Sequence, residues 1–168
     1  VRVPAASPLE VQLTAEDEEV FIPDEGMTGY GVACDIGTTT VVCHLIDLVS
    51  GKKLATVGEG NAQRPYGGDV ISRIKASMEG RRGALTAAIT GQLKAMIAAL
   101  CTSAKIGMEE IHTMSIAANT TMTHLLLGLY SDPVRMEPYI PSFFDCGVLR
   151  AAEVLPGMSE TAELLIAP

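Results

Sequence analysis

The chain has no tryptophan, and aromatic residues make up only 4% of its 168 residues. Its core must therefore be built from Ala, Val, Ile, Leu and Met, which favours helices packed closely on a sheet. Basic residues are scarce: 12 Lys and Arg stand against 20 Asp and Glu, for a net charge of −8. That balance argues against a nucleic-acid or anionic-membrane surface. None of the four cysteines, at 34, 43, 101 and 146, has C-x-x-C spacing. We read them as reduced, buried thiols and not as disulfides or a zinc site. His44, His112 and His124 show no i, i+4 pairing with one another. We expect no signal peptide, and no apolar run that reaches the ~20 residues a membrane span needs. The expectation is a cytoplasmic protein. Glycine-rich nucleotide loops are missing too. Ser50-Gly51-Lys52 lacks the preceding glycine of G-x-x-x-x-G-K-[ST], and Gly58-Glu59-Gly60 has Gln63 where G-x-G-x-x-G needs its last glycine.

What is present is 48% apolar, too much for a disordered segment and enough for one domain or one lobe of a larger one. The chain starts at Val1 and stops just after Leu164-Leu165-Ile166-Ala167, so we expect a piece of a longer protein. Residues 1–29 are acidic and Pro-containing and read as a linker or the tail of a preceding domain, with one edge strand over Glu10–Thr14.

The most informative stretch is Asp35-Ile36-Gly37-Thr38-Thr39-Thr40, set between the apolar runs 30–34 and 41–48. An acidic residue ends one strand, a glycine turns the chain, and hydroxyl residues open the next strand. Such a turn offers backbone N–H groups and hydroxyls to phosphate oxygens, and the carboxylate can hold a metal through water. Glycine lets the backbone approach closely. The plainer alternative is an ordinary hairpin with a polar tip. We take Asp35 as the candidate Mg2+ residue, Gly37, Thr38 and Thr39 as the candidate phosphate cradle, and Thr40 as a strand residue.

Strands are expected over 30–36, 39–48 and 53–60, forming an antiparallel meander with a turn at Ser50-Gly51. The second is apolar on both faces and should be central and covered on both sides. A helix over Gly68–Glu79 carries Val70, Ile71, Ile74 and Met78 on one stripe, and Gly80 ends it. A second, over Ala84–Ala104, carries Leu85, Ile89, Leu93, Met96, Ile97 and Leu100, with Gly91 inside it costing about 1 kcal/mol relative to Ala. Met114–Ala118 reads as a short buried strand, and Asn119 opens a helix carrying Met122, Leu125, Leu126 and Leu129. Residues 130–147 read as loop, and 159–168 as the start of a further strand. The order implies an α/β fold: a mixed sheet with flanking helices.

Asn61 and Gln63 follow the third strand, and Asp69 and Arg73 lie on the next helix, where they could face a cleft. Asp69 and Arg73 also sit at i, i+4, a spacing that supports a local ion pair worth about 0.2–0.5 kcal/mol. Asn119 is a good helix N-cap, while Thr120 and Thr121 after it could point to an anion at the helix start. His124 and His44 read as packing residues.

Gly31-Val-Ala-Cys-Asp35-Ile-Gly-Thr-Thr-Thr40 resembles the first phosphate motif of the ASKHA superfamily, which includes actin, the sugar and acetate kinases and the heat-shock chaperone ATPases. Asn61-Ala-Gln-Arg-Pro-Tyr-Gly-Gly-Asp69-Val-Ile-Ser-Arg73-Ile74, Ala118-Asn119-Thr-Thr-Met-Thr-His-Leu-Leu-Leu-Gly128 and Pro138-Tyr-Ile-Pro141 are similar to segments of reductive activators of corrinoid proteins. Ala118 departs from that pattern, which usually has Gly before the Asn. The resemblance implies that 30–168 form the first, ribonuclease-H-like lobe of an ASKHA ATPase domain. It implies ATP and Mg2+ as ligands, and a 2Fe–2S ferredoxin-like domain upstream. The partner would be a corrinoid protein or corrinoid-dependent methyltransferase whose Co(II) is returned to Co(I). A homodimer is left open. On this reading Asp35 and Asp69 are the candidate catalytic carboxylates, and Asn61, Gln63, Asn119 and Thr120 join the turn in holding the nucleotide. The alternatives are a sugar or acid kinase of the same superfold, with Asp69 as its base, and a nucleotide-switched interaction module without turnover.

Overall fold

The computed structural model describes residues 28–142 and 147–167. The linker reading for 1–29, with its strand at Glu10–Thr14, falls almost wholly outside them, as does Cys146. A single sheet organises the rest. Strands β1 (Tyr30–Ile36), β2 (Thr40–Asp47) and β3 (Lys53–Gly60) form the expected antiparallel meander. β4 (Ile111–Ala118) lies parallel beside β1, β6 (Glu163–Ala167) parallel beside β4, and β5 (Val148–Arg150) antiparallel on the edge. The order across the mixed six-stranded sheet is β3-β2-β1-β4-β6-β5.

Strand alternation divides the sheet into two faces. Val32, Cys34 and Ile36 share one face with Val41, Cys43, Leu45, Met114, Ile116, Leu164 and Ile166, and all are buried. The opposite face carries Ala33, Asp35, Val42, His44, Thr56, Ser115 and Ala117, which are half-buried or exposed. The expectation that β2 is covered on both sides is met only at its Ile46 end, where Ile46 on the second face is 7% exposed. β2 is central, but helices of the described chain cover only its Val41, Cys43 and Leu45 side. On the open face His44 Nδ1 lies 2.9 Å from Thr56 Oγ1 on β3, a structural role.

The main cover is α2 (Arg82–Ala104), whose Leu85, Ile89, Leu93, Met96, Ile97 and Leu100 are buried as their spacing predicts. Fully burying each such side chain stabilises the fold by roughly 1.5–3 kcal/mol before entropy is subtracted. The helix ends at Lys105, which takes the left-handed conformation and caps Cys101 and Thr102 carbonyls. Val70–Ala104 as a whole is long and apolar enough to cross a membrane by length and composition, which corrects the expectation that no apolar stretch is long enough. In this fold Gly80 (φ 90°) breaks the stretch, and Leu85, Ile89 and Leu93 are fully buried against the sheet.

The preceding helix, α1 (Val70–Ala76), is shorter than expected and presents a different face. Ile71 is 51% and Met78 47% exposed, whereas Arg73, Ile74 and Ala76 are buried. An arginine thus takes the inward place that apolar periodicity assigns to Ile71 and Met78. After β4, α3 (Thr120–Leu126) is capped by Asn119, whose side chain accepts from Met122 N at 3.0 Å. It stops before Leu129 because Gly128 adopts φ 67°. Short α4 (Asp132–Arg135) lies inside the stretch read as loop, and α5 (Ala151–Val154) follows β5. Cys34, Cys43 and Cys101 are buried free thiols. Cys34 and Cys43 face each other across β1 and β2, and the contact with Cys43 together with burial pushes the Cys34 thiol well up.

Candidate functional site

β1 and β2 converge on the turn Gly37–Thr39, and the structure shows how that turn is held. The Gly37 carbonyl accepts from Asn61 Nδ2 at 2.8 Å. The Thr38 carbonyl accepts from Arg73 Nη2 at 2.6 Å. The Thr39 carbonyl accepts from the Asn61 backbone N–H at 2.8 Å. Three consecutive carbonyls are thus drawn toward the protein. In a planar trans peptide the next residue's N–H points the opposite way. The N–H groups of Thr38 and Thr39 are therefore turned outward, and neither has an acceptor within the described structure. Two free N–H groups beside two hydroxyls form a donor set of the kind that takes anionic oxygens. Gly37 is required for the turn itself: a Cβ there would sit 2.7 Å from the Thr40 carbonyl oxygen.

Asp35 stands beside this turn on the open face of the sheet. It is exposed, and its carboxylate receives no hydrogen bond from the protein. Among the described residues no group of three His, Cys, Asp or Glu is clustered as a metal site. Any cation at Asp35 would thus need water or ligand oxygens to complete its shell. Asn119 joins the turn from the other side, its Nδ2 donating to Thr38 Oγ1 at 3.3 Å while its Oδ1 caps α3. The N-cap reading of Asn119 is therefore realised, and the same side chain also reaches the turn. Thr120 is exposed, whereas Thr121 is 2% exposed and faces the core, so it cannot point to a ligand.

Asn61 and Gln63 are buried, not open to a cleft. Gln63 N donates to Asn61 Oδ1 at 2.8 Å, and Gln63 Nε2 donates to the Leu85 carbonyl at 3.0 Å. They brace the turn from behind. Asp69 lies apart from this web, exposed, as the N-cap of α1 in a capping box with Ser72. Hydrogen bonds to the carboxylate from the Ser72 backbone N–H and then the Ser72 hydroxyl hold the Asp69 carboxyl below the ordinary value of 3.8. The proposed Asp69–Arg73 ion pair does not form. Arg73 turns inward instead, because four acceptors await it there: the Thr38 and Gly67 carbonyls, Gln63 Oε1 and Met122 Sδ.

The pattern of the RACo middle region matches residues 30–168. The chain belongs to this family. The corrinoid activation enzyme RamQ of Eubacterium limosum is 38% identical over 113 residues, 66% of this chain and 19% of that protein. A solved structure of the reductive activator for corrinoid, iron-sulfur protein is similar at a TM-score of 0.81 and 38% identity, covering 86% of this chain and 23% of that one. The chain spans less than a quarter of either relative's length.

Two residues of this family member's turn support escaped the sequence reading or were misplaced by it. Gln92 went unnoticed on α2. Its Oε1 accepts from Ala62 N and its Nε2 donates to the Gly60 carbonyl, both at 2.8 Å, which fixes the segment that carries Asn61. A signal was present: Gln92 is a polar residue one position before Leu93, on the stripe that faces the core. Arg73 reads from sequence as cleft-facing or as half of a local pair with Asp69, whereas the structure buries it. Its position just before the buried Ile74, on a helix that also presents Ile71 outward, becomes legible only with the tertiary contacts.

Proposed function

We propose that this chain is the first lobe of the ATPase domain of a reductive activator of corrinoid proteins, and that it grips the phosphates of MgATP. The observation that carries the reading is the turn Gly37–Thr39, with its carbonyls held inward and the Thr38 and Thr39 N–H groups left free. A polyphosphate would take those N–H groups and the hydroxyls, and Asp35 would hold Mg2+ through water. The antiparallel meander followed by parallel β4 and β6 supports a ribonuclease-H-like lobe of the ASKHA kind. In such a domain ATP lies between two lobes, so the second lobe supplies the rest of the grip and this one alone binds weakly.

The likeness to a corrinoid activation enzyme and to a reductive activator supports a corrinoid protein or corrinoid-dependent methyltransferase as the partner. A 2Fe–2S cluster in another domain of the whole protein would supply the electron that returns Co(II) to Co(I). This chain's part is conformational. ATP shifts an open–closed equilibrium only by the difference in its affinity for the two states, and the braced turn gives the closed state its extra contacts. A sugar or acid kinase of the same superfold is less favoured, since the carboxylate it would use, Asp69, is engaged in capping α1.

The test has two stages. Iron and acid-labile sulfide on the anaerobically purified full-length protein should each come to about two per chain. Asp35→Ala in that protein should then abolish ATP-dependent corrinoid activation while leaving its thermal unfolding unchanged. Full activation by the variant would refute the assignment of Asp35, and absence of iron and sulfide would turn attention to phosphate transfer.

A further inference from the structure

Arg73 is chemically out of place where the fold puts it. It is among the largest fully buried side chains, at 0% exposure. All four of its acceptors are neutral. No carboxylate of the described residues comes within ion-pair distance of its guanidinium. Burial lowers its affinity for the proton, Asp69 pulls that back at a distance, and Arg64 adds repulsion. A buried charge without a counter-charge is costly. A neutral amide would hold the Thr38 carbonyl for much less, as Asn61 does for Gly37.

The energetic puzzle has a resolution in the position of the charge. The guanidinium sits directly behind the one peptide unit whose N–H faces out from Thr39, separated from the outer surface by the thickness of the turn. An arginine keeps its charge there because a guanidinium is not deprotonated in proteins. A buried positive charge in a medium of low polarity acts over several ångströms with little screening. In a chain of net charge −8, that local potential has to come from a particular residue.

We propose that Arg73 is a positioning residue for a bound polyphosphate: it fixes the Thr38 carbonyl inward, so that the Thr39 N–H points out, and its unpaired charge is neutralised across the turn by the phosphates. This rests on the phosphate-binding reading of the turn. The two roles are separable by substitution. Arg73→Lys keeps the charge and loses the fork that reaches Gly67, Gln63 and Thr38 together. Arg73→Gln keeps a donor and loses the charge. Arg73→Met loses both and keeps much of the volume.

The experiment is calorimetric titration of the full-length protein with MgATP, MgADP and adenosine, alongside its thermal unfolding. Wild type is measured first. If it does not bind MgATP, the phosphate reading of the turn fails, whatever Arg73 does. If it binds, the expected result for Arg73→Gln is an affinity loss of about ten- to a hundredfold for MgATP, smaller for MgADP and absent for adenosine. Arg73→Lys should recover part of the MgATP affinity. Equal losses for all three ligands, tracking a fall in unfolding temperature, would make Arg73 a purely structural strut and overturn the proposal. So would unchanged MgATP affinity in a folded Arg73→Gln protein. Should Arg73→Met fail to fold, the Lys and Gln variants carry the test.

Discussion

Two regions of this molecule are buried to the same degree by opposite chemistry. Under α2, Leu45, Leu85, Ile89 and Leu93 are fully buried among other apolar groups. Behind the turn, Asn61, Gln63 and Arg73 are 1%, 0% and 0% exposed, yet nearly every contact they make is a directed hydrogen bond. The first region holds strands and helices together and tolerates small rearrangement, because dispersion and water exclusion have no preferred direction. The second fixes three successive carbonyls in a single arrangement, and a buried polar group with a lost partner is expensive. The contrast separates a part built for stability from a part built to hold a shape that faces solvent.

The strongest test of that contrast is in the core. Leu93→Ala should destabilise the folded chain by about 2–5 kcal/mol through the cavity it leaves, read from urea unfolding. The fraction that stays folded should keep its MgATP affinity in the full-length protein. A matching loss of affinity would erase the distinction between the two regions. Asn61→Ala should cost less, about 1–3 kcal/mol, by removing the donor to Gly37 and the acceptor for Gln63 N. It should nonetheless weaken MgATP binding more than Leu93→Ala does, and the reverse order in a titration would show that the turn holds itself. The smallest effect belongs to Asp69, outside both regions. Its carboxyl is held below the ordinary value of 3.8 in the folded chain. The unfolded chain therefore takes up the proton first as pH falls. The contribution of Asp69 is complete above the ordinary value and disappears as pH drops through the folded one. Wild type and Asp69→Asn should differ in urea midpoint at about pH 6, and the gap should narrow as pH falls below the ordinary value of 3.8. A gap that widens on acidification would show that the capping geometry is not what sets this carboxyl.

The legibility of these regions from sequence followed their chemistry. The apolar one was plain: β1 to β3, the stripe on α2 and the strand at β6 all rest on periodicities that need no knowledge of the fold. So was the Asn119 cap, which is local. The edge elements β5 and α5 escaped, since segments of three and four residues are ordered by β6 beside them and not by their own pattern. The first residues of β4 escaped because His112 and Thr113 dilute its apolar signal. The polar region was read in its residue types and misread in its placement. Asn61, Gln63 and Arg73 were singled out, but polar side chains after a strand look solvent-facing until the elements that bury them are known. Arg73 beside an i−4 aspartate is an ordinary surface pair by spacing alone. Only the carbonyls of Thr38 and Gly67, brought in by the fold, outbid it.

The contacts that hold the turn have a bearing on the order in which the chain takes shape. The two strands that make the hairpin are neighbours in sequence. The clamps on its tip come from residues 24, 35 and 81 positions away. Closing such separations costs chain entropy that local pairing does not. A growing polypeptide thus possesses the turn's amino acids from residue 39 onward but cannot set their geometry until Asn119 has left the ribosome and docked. On the phosphate-binding reading proposed above, competence to bind nucleotide would be one of the last properties this lobe acquires, and its appearance on the time axis of a refolding experiment would mark the completion of the lobe.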